Sequence, residues 1–150
     1  MQLYLRDALP SDVDDLIALM MGGRLGGDYD GPHHTAAYLD ALREIDAGDD
    51  SYLLVAELGG QVVAMLQLFT FRHFQHRGGR CAEIESMRVA EDVRGRGIGT
   101  RLLTHAVTRA EELGCYRIQM TSNEARADAH RFYEAHDFVA SHRGFKRYLH

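Results

Sequence analysis

Glycine and arginine alternate in residues 94–99, and this spacing is suited to binding an anion. The segment reads Arg-Gly-Arg-Gly-Ile-Gly, follows an apolar run at residues 84–89 and precedes an amphipathic helical pattern. A strand, a tight turn and a helix start place several backbone N–H groups at the positive end of a helix dipole, which favours a phosphate. Glycine lets that phosphate approach the backbone closely. We therefore predict a phosphate or pyrophosphate site in this glycine loop.

The loop by itself does not identify its phosphate ligand. Thr100 and Arg101 follow it where a nucleoside triphosphatase would need Gly-Lys-Ser/Thr, so the catalytic lysine of that class is missing. The Gly-x-Gly-x-Gly spacing also departs from the dinucleotide fingerprint, which opens a repeated βαβ series near the start of a chain. On these residues alone, a purely structural turn is the remaining alternative.

The elements around the loop follow from hydrophobic periodicity and from glycine and proline breaks. Alternating or apolar runs predict strands at residues 2–7, 51–57, 61–72, 81–89 and 116–121, with one or two terminal strands from Phe138 onward. Helical spacing predicts helices at residues 11–21, 33–47, 97–113 and 126–136. The predicted fold class is α/β, a mixed, mostly antiparallel sheet with helices on both faces.

The composition is that of an ordinary soluble globular protein, with 45% apolar and 26% charged residues. For 150 residues we expect a single domain, 1–150. No apolar run approaches the roughly 18 residues of a membrane span, and the first residues lack the apolar region of a signal peptide. Cys81 and Cys115 have no metal or redox spacing. We therefore expect a cytoplasmic protein that does not associate with membranes.

The charge distribution separates acidic segments from an arginine-rich middle. Acidic residues concentrate at residues 7–15 and 46–57, and arginine at residues 72–101. The net charge of −5 disfavours a general nucleic-acid binder. The acidic residues either form an ordinary solvated surface or attract a cationic amine substrate. No pair among the nine histidines has metal-ligand spacing with a third ligand, so we predict no metal site.

Two segments in the same order and spacing resemble the motifs of the GNAT superfamily of acyl-CoA N-acyltransferases. In the first, Arg94, Gly97 and Gly99 occupy the fixed positions of Gln/Arg-x-x-Gly-x-Gly/Ala after the strand at residues 84–89. The second comprises Gly-Cys-Tyr-Arg at residues 114–117 and Ala-His-Arg-Phe-Tyr-Glu at residues 129–134. The order of elements matches over essentially the whole chain. The resemblance implies the N-acyltransferase fold and an acetyl-CoA-dependent N-acetyltransferase.

One position departs from the family pattern. Asp137 stands where the family usually has glycine, in the turn before Phe138. Aspartate tolerates a left-handed backbone better than most residues, so we expect the turn to be kept.

The resemblance assigns coenzyme A to two neighbouring stretches of backbone. The loop amides would hold its pyrophosphate, and the end of the preceding strand, which splays from its neighbour, would pair with the pantetheine arm. Side chains at Met87 and Val89 would then be core, with the function in their backbones. The residues assigned to acetyl-CoA are Met87, Arg88, Val89, Arg94, Gly95, Arg96, Gly97, Ile98, Gly99, Thr100 and Asn123.

Three of the assigned side chains have a structural alternative. Tyr133 matches the family position that protonates the leaving thiolate, which a phenol with a pKa near 10 can do at neutral pH; alternatively it is plain core. Glu85 is either a base or amine-binding group, or a strand-edge carboxylate paired with Arg88 or Arg80. Asn123 either hydrogen-bonds the pantetheine arm or begins the next turn.

The acceptor is less defined than the cofactor. It is a primary amine of a small molecule or a peptide, and we expect it to enter over residues 24–34 and the turn at residues 72–79. Arg72 or Arg80 would be available to bind a phosphate-bearing acceptor. The final strands would support a homodimer. A non-catalytic acyl-CoA-binding sensor or interaction module is the alternative function.

Overall fold

A five-stranded sheet forms the centre of the protein in the computed structural model, which describes residues 1–22 and 31–150. The strands lie side by side in chain order, and neighbours are antiparallel except for the parallel pair β4 and β5. The fold class predicted from the sequence is confirmed. The strands are β1 (Leu3–Asp7), β2 (Ser51–Leu58), β3 (Gln61–Arg72), β4 (Arg80–Val89) and β5 (Cys115–Met120).

Helices cover both faces of this sheet, as predicted. One face packs against α1 (Val13–Met21) and α2 (Thr35–Ala47), and the other packs against α4 (Ile98–Glu112) and the aromatic residues of α5 (Ala127–Glu134). Between β3 and β4, α3 is a single short turn in which His76 and Arg77 have left-handed φ angles of 52° and 55°. The helices are α1 (Val13–Met21), α2 (Thr35–Ala47), α3 (Gln75–Gly78), α4 (Ile98–Glu112) and α5 (Ala127–Glu134).

Strand β2 shows why both faces are covered. Leu54 and Val55 are adjacent and fully buried, yet Leu54 packs in the cluster with α4 and Val55 in the cluster with α1 and α2. Successive side chains of a strand point to opposite faces, so a strand that is apolar on both sides needs a helical layer on each. Burial of each such side chain contributes about 1.5–3 kcal/mol.

The crossover from β4 to β5 positions the glycine loop. It leaves β4 at Val89, passes a 3₁₀ turn at Glu91–Val93 and enters α4 at Ile98. Helix α4 ends beside Gly114, whose φ of +79° lets the chain reverse into β5. The N-terminus of α4 therefore lies next to the end of β4.

The predicted terminal strands are wrong. Residues 138–150 form no strand, and Val139, Phe145, Tyr148 and Leu149 are exposed. An alternating pattern favours an extended chain, but a strand also needs a partner backbone, and no described strand pairs with these residues. The turn before them is kept as expected, because Asp137 has a φ of 67°.

Within residues 1–22 and 31–150, no helix has the length and apolar character needed to cross a membrane.

Candidate active site

A bulge in β4 sets the geometry of the site. Met65 of β3 pairs with Arg88 and Gln67 pairs with Glu85, so the extra residue of β4 lies between these pairs. Ser86 has a φ of 53°, a left-handed conformation that is uncommon for a residue other than glycine. An extra residue bends a strand and increases its local twist. Strand β4 therefore changes direction at Ser86.

The parallel pairing of β4 with β5 ends at this bulge. Its last pair joins Ile84 to Met120, whereas β4 continues to Val89. The stretch of β4 at residues 85–89 thus has no strand partner on the side of β5 among the described residues. Its N–H and C=O groups on that side form an open edge, to which an extended amide-bearing chain can pair. The pairing ends at the stretch of β4 where the resemblance predicts that neighbouring strands splay.

The glycine loop closes one end of this open edge. Gly95 and Gly97 both have a φ of +75°, and a Cβ atom on either would meet no protein atom within 4 Å. Gly97 is the residue before α4, and its carbonyl accepts the N–H of Arg101 at 3.1 Å. The N–H groups of Ile98, Gly99 and Thr100 precede this first helical bond and have no acceptor within the helix. They face the open side of the loop as a ready anion site.

Gly99 and Arg94 join the loop to the strand. A Cβ atom on Gly99 would lie 3.5 Å from Val89 Cγ2 and 3.6 Å from both Met87 Cε and Phe132 Cζ. The first turn of α4 therefore packs directly on the end of β4. Arg94 Nε donates a hydrogen bond to the Val89 carbonyl at 3.1 Å. Arg96 is exposed beside the same loop.

Tyr133 places its hydroxyl beside the open edge. Its Oη donates to Met87 Sδ at 3.5 Å, and its ring packs edge-on against Phe132 and Phe138. Burial raises the pKa of the Tyr133 phenol above its ordinary value of 10.0, against the smaller opposing effects of Arg126 and Arg88. The hydroxyl is thus protonated at neutral pH. Tyr133 is therefore part of the aromatic cluster and also contacts β4 at its open edge.

Glu85 lies on β4 directly before the bulge. Its side chain is exposed and makes no hydrogen bond or ion pair with any described residue. The pairing with Arg80 considered from the sequence is absent, since Arg80 lies 3.6 Å from Asp50 instead. Arg88 Nη1 donates to the Met87 carbonyl at 3.1 Å. The Glu85 carboxylate is therefore available to a ligand.

Asn123 lies past the end of β5 and shapes a turn. Its Oδ1 accepts the N–H of Ala125 at 2.9 Å, and its carbonyl accepts the N–H of Arg126 at 3.0 Å. This is the turn role considered from the sequence, and it orients the side chain toward its own backbone. The neighbouring Ser122 has a buried hydroxyl with no hydrogen-bond partner among the described residues. Ser122 carried no sequence signal.

His136 was also missed by the sequence analysis. Its Nδ1 lies 2.7 Å from the Phe132 carbonyl and its Nε2 lies 3.1 Å from Thr100 Oγ1. Because a carbonyl only accepts, Nδ1 carries a proton and donates to Phe132, while Nε2 forms the hydrogen bond with the Thr100 hydroxyl. His136 thus connects α5 to the loop at the start of α4. Its position one helical turn after Phe132 was the available signal.

The expected acceptor entrance is only partly within the described residues. Residues 23–30 lie outside them, so most of the predicted stretch 24–34 has no structural description. The turn at residues 72–79 is held against β5, with His76 stacked on Tyr116 at 3.9 Å and His73 Nδ1 2.7 Å from its hydroxyl. This turn is followed by Arg80, and five residues of strand, roughly 17 Å, separate Arg80 from Glu85.

A cavity of about 690 Å³ lies on the other side of the bulge from the glycine loop. It opens on the same sheet face as α1 and α2, beyond the part of that face that the helices cover. Its lining residues are Asp50, Ser51, Gln67, Phe69, Thr70, Phe71, Glu83, Glu85 and Ser86. The described residues contain no group of three His, Cys, Asp or Glu arranged to hold a metal ion.

Comparison with known proteins agrees with this geometry. The model of the acetyltransferase (GNAT) family matches residues 21–138. The aminoalkylphosphonate N-acetyltransferase of Salmonella typhimurium is 30% identical over 148 residues, which cover 97% of this chain and 90% of that protein. This chain belongs to the GNAT family of acetyltransferases, and it is an acetyl-CoA-dependent N-acetyltransferase.

Solved structures show the same fold. A crystal structure described as a transcriptional regulator from Bacillus halodurans C-125 superposes with a TM-score of 0.94, at 33% identity, over 99% of this chain and 100% of that one. Glucosamine-6-phosphate N-acetyltransferase from Arabidopsis thaliana superposes with a TM-score of 0.84, at 19% identity, over the full length of both chains. At that identity, the second likeness concerns the fold alone.

Proposed function

We propose that the protein transfers the acetyl group of acetyl-CoA to a primary amine by direct attack of the amine on the thioester. The observation that carries this proposal is the open edge of β4, which lies between an anion-binding helix start and the Tyr133 hydroxyl. Such a site fits a ligand with a pyrophosphate at one end, an amide-bearing arm in the middle and a thioester at the other. The expected cytoplasmic location suits a soluble acetyl-CoA-dependent enzyme.

The cofactor residues would act mainly through their backbones. In the loop predicted to hold the pyrophosphate, residues 94–100, the Arg94 N–H already donates to the Glu91 carbonyl at 3.3 Å. The N–H groups of residues 95–100 would therefore hold the pyrophosphate, with the Arg94 and Arg96 side chains adding positive charge. The backbone of Met87, Arg88 and Val89 would pair with the pantetheine arm. Their side chains pack in the core or against neighbours, as with Met87 beside Tyr133. Asn123 Oδ1 accepts the N–H of Ala125, which leaves the side-chain Nδ2 to donate to a carbonyl of the arm.

Glu85 and Tyr133 would handle the protons. The amine nitrogen attacks the thioester carbon, the carbon–sulfur bond breaks and the amide forms. Glu85 would bind the incoming ammonium and take its proton directly or through water, since its carboxylate has no partner among the described residues. Tyr133 would donate its phenolic proton to the departing thiolate, and the second proton that the nitrogen loses as the amide forms would restore the phenol through water. Charge is thereby neutralised at both ends of the reaction.

The decisive experiment measures cofactor binding and turnover separately. Acetyl-CoA at 100 times its Kd should raise the Tm by about 5–10 °C, whereas ATP at the same concentration should not. Free thiol release should then depend on an added amine. Stabilisation by ATP but not by acetyl-CoA would contradict the site. Stabilisation by acetyl-CoA without thiol release from any amine would favour the non-catalytic sensor.

We also propose that the chain forms a homodimer through its last residues. Phe145, Tyr148 and Leu149 are 90%, 86% and 82% exposed. The outer edge of β5 has no strand partner among the described residues. Large exposed apolar side chains mark an interaction surface, and a free strand edge is a site for pairing with another chain. A second copy would cover both features.

Serine substitution tests this homodimer. Light scattering after gel filtration should give twice the chain mass for the parent protein. It should give the monomer mass for the double variant Phe145→Ser and Tyr148→Ser, because that variant removes the apolar contacts. The matched control is Phe74→Ser, since Phe74 is a fully exposed phenylalanine on the turn between β3 and β4. A parent protein of monomer mass would disprove the proposal.

A further inference from the structure

The cavity beside Glu85 has an unusual balance of charge. Among its lining residues, Asp50, Glu83 and Glu85 carry carboxylates, and none of those described is lysine, arginine or histidine. The same lining includes Phe69 and Phe71, both half-buried. The cavity thus offers negative charge and aromatic surface together. Both properties suit a cation attached to an apolar body.

The register of the sheet places Arg72 and Arg80 on the face opposite to Phe69 and Glu85. Gln67 pairs with Glu85 and Phe69 pairs with Glu83, so these four side chains share the cavity face. Arg72 pairs with Arg80, and each lies an odd number of residues along its strand from the pair Phe69 and Glu83. The two arginines are therefore on the other face, which also carries the buried Ala82 and Ile84. Alternation along the strands therefore directs both arginines to the opposite face. Neither Arg72 nor Arg80 is among the described lining residues, although Arg80 Nη1 lies 3.6 Å from the Asp50 carboxylate and donates to Thr70 Oγ1 at 3.2 Å at the edge of the cavity.

Two further arginines share the cavity face but lie outside its lining. Arg88 pairs with Met65 beyond the bulge, and its Nη1 donates to the Met87 carbonyl. Arg117 pairs with Cys81, and its guanidinium lies over the Tyr116 ring, 5.5 Å from the ring centroid. Neither is among the residues that line the cavity.

The three carboxylates are not equivalent. Asp50 lies 3.6 Å from Arg80, and Glu83 accepts a hydrogen bond from Gln119 Nε2 at 3.0 Å. Glu85 has no partner among the described residues and lies next to the bulge. The position for a substrate ammonium is therefore at Glu85, close to the open edge of β4. Phe69 and Phe71 lie farther along the sheet, where the rest of the substrate would extend.

From these observations we infer that the acceptor is a primary amine on an apolar, aromatic or aliphatic body that carries no phosphate or phosphonate. The inference rests on the proposed function and names the substrate class of the same site. An anionic group entering this cavity would meet like charge from Glu83 and no cation among the described lining residues, and the nearby Arg80 is already paired with Asp50. In substrate class this chain would then differ from its relative in Salmonella typhimurium, whose name specifies an aminoalkylphosphonate.

Two amines with the same two-carbon linker test the inference. We expect kcat/KM for 2-phenylethylamine to exceed that for 2-aminoethylphosphonate by at least about 10-fold, because like-charge repulsion and loss of aromatic contact both penalise the phosphonate. Equal values, or a preference for the phosphonate, would overturn the inference. So would the absence of acetylation of both amines by protein that acetyl-CoA stabilises. Failure of acetyl-CoA to stabilise the protein would instead contradict the proposed function.

Two substitutions assign the preference to the cavity. Glu83→Gln keeps an oxygen for the Gln119 hydrogen bond but removes the negative charge. It should lower the ratio of kcat/KM for 2-phenylethylamine to that for 2-aminoethylphosphonate about threefold or more. Glu111→Gln removes the same charge from the exposed surface of α4 and should not change it. Phe69→Ala should raise KM for 2-phenylethylamine about 10-fold, whereas Phe74→Ala on the exposed turn should not. An unchanged preference in both Glu83→Gln and Phe69→Ala would place recognition elsewhere.

Discussion

Replacing Tyr133 with phenylalanine should lower kcat about 100-fold and leave the Kd for acetyl-CoA within about twofold. The substitution removes only the hydroxyl that contacts Met87 Sδ and keeps the ring contacts with Phe132 and Phe138. If the phenol donates the proton to the thiolate, its loss affects turnover but not cofactor binding. Steady-state kinetics and calorimetric titration with acetyl-CoA separate these two quantities.

The pH dependence gives a second measure of the same role. Burial raises the pKa of Tyr133 above 10.0, so the phenol keeps its proton throughout the neutral and mildly alkaline range. A loss of kcat caused by Tyr133 should therefore begin only above about pH 10 in the parent and be absent in Tyr133→Phe. Tyr148→Phe, on the exposed terminal segment, is the matched control. Unchanged kcat in Tyr133→Phe would leave the tyrosine as a core residue.

Replacing Gly97 with alanine should reduce the affinity for acetyl-CoA more than about 10-fold, which corresponds to about 1.4 kcal/mol. Gly97 has a φ of +75°, and a Cβ atom there would point into space that holds no protein atom within 4 Å. If the pyrophosphate binds in this space, the added methyl group prevents its close approach to the helix N–H groups. Calorimetric titration of the variant with acetyl-CoA measures the loss.

The control for Gly97→Ala is an equally strained glycine elsewhere. Gly60, in the turn between β2 and β3, has a φ of +82° and also has no atom within 4 Å of an added Cβ. Each substitution puts alanine in a left-handed conformation at a cost of about 1–2 kcal/mol, so both should lower the Tm by about 2–8 °C. Only Gly97→Ala should lose affinity. Equal affinities in the two variants would mean that the loop does not hold the cofactor.

Much of the fold was predictable because its signals are local. The alternating and helical periods of the sequence predicted all five strands of the sheet and the four longer helices to within a few residues. The glycines of the loop correctly marked a tight turn before α4, in which Gly97 has a φ of +75°. These features depend on neighbours in sequence, and the chemistry of glycine limits what such a turn can be.

The terminal strands and the bulge show the limit of local signals. The pattern after Phe138 favours an extended chain, but strand formation depends on a partner backbone that the described residues do not supply. Ser86 is left-handed although its residue type does not require it. Its conformation follows from the register between β3 and β4, in which Met65 pairs with Arg88 and Gln67 with Glu85. Register is a property of two strands together.

The sequence by itself determined the family resemblance, the order of elements and the loop suited to an anion, since each is encoded by residue types at fixed spacing. Only the tertiary structure decided where the pairing of β4 with β5 ends and which side chains meet beside the bulge. It also decided that Glu85 shares its face with Phe69 while Arg80 lies on the other, because that outcome depends on strand pairing. The glycine loop thus predicts the cofactor site, and the paired strands define the cavity proposed for the acceptor.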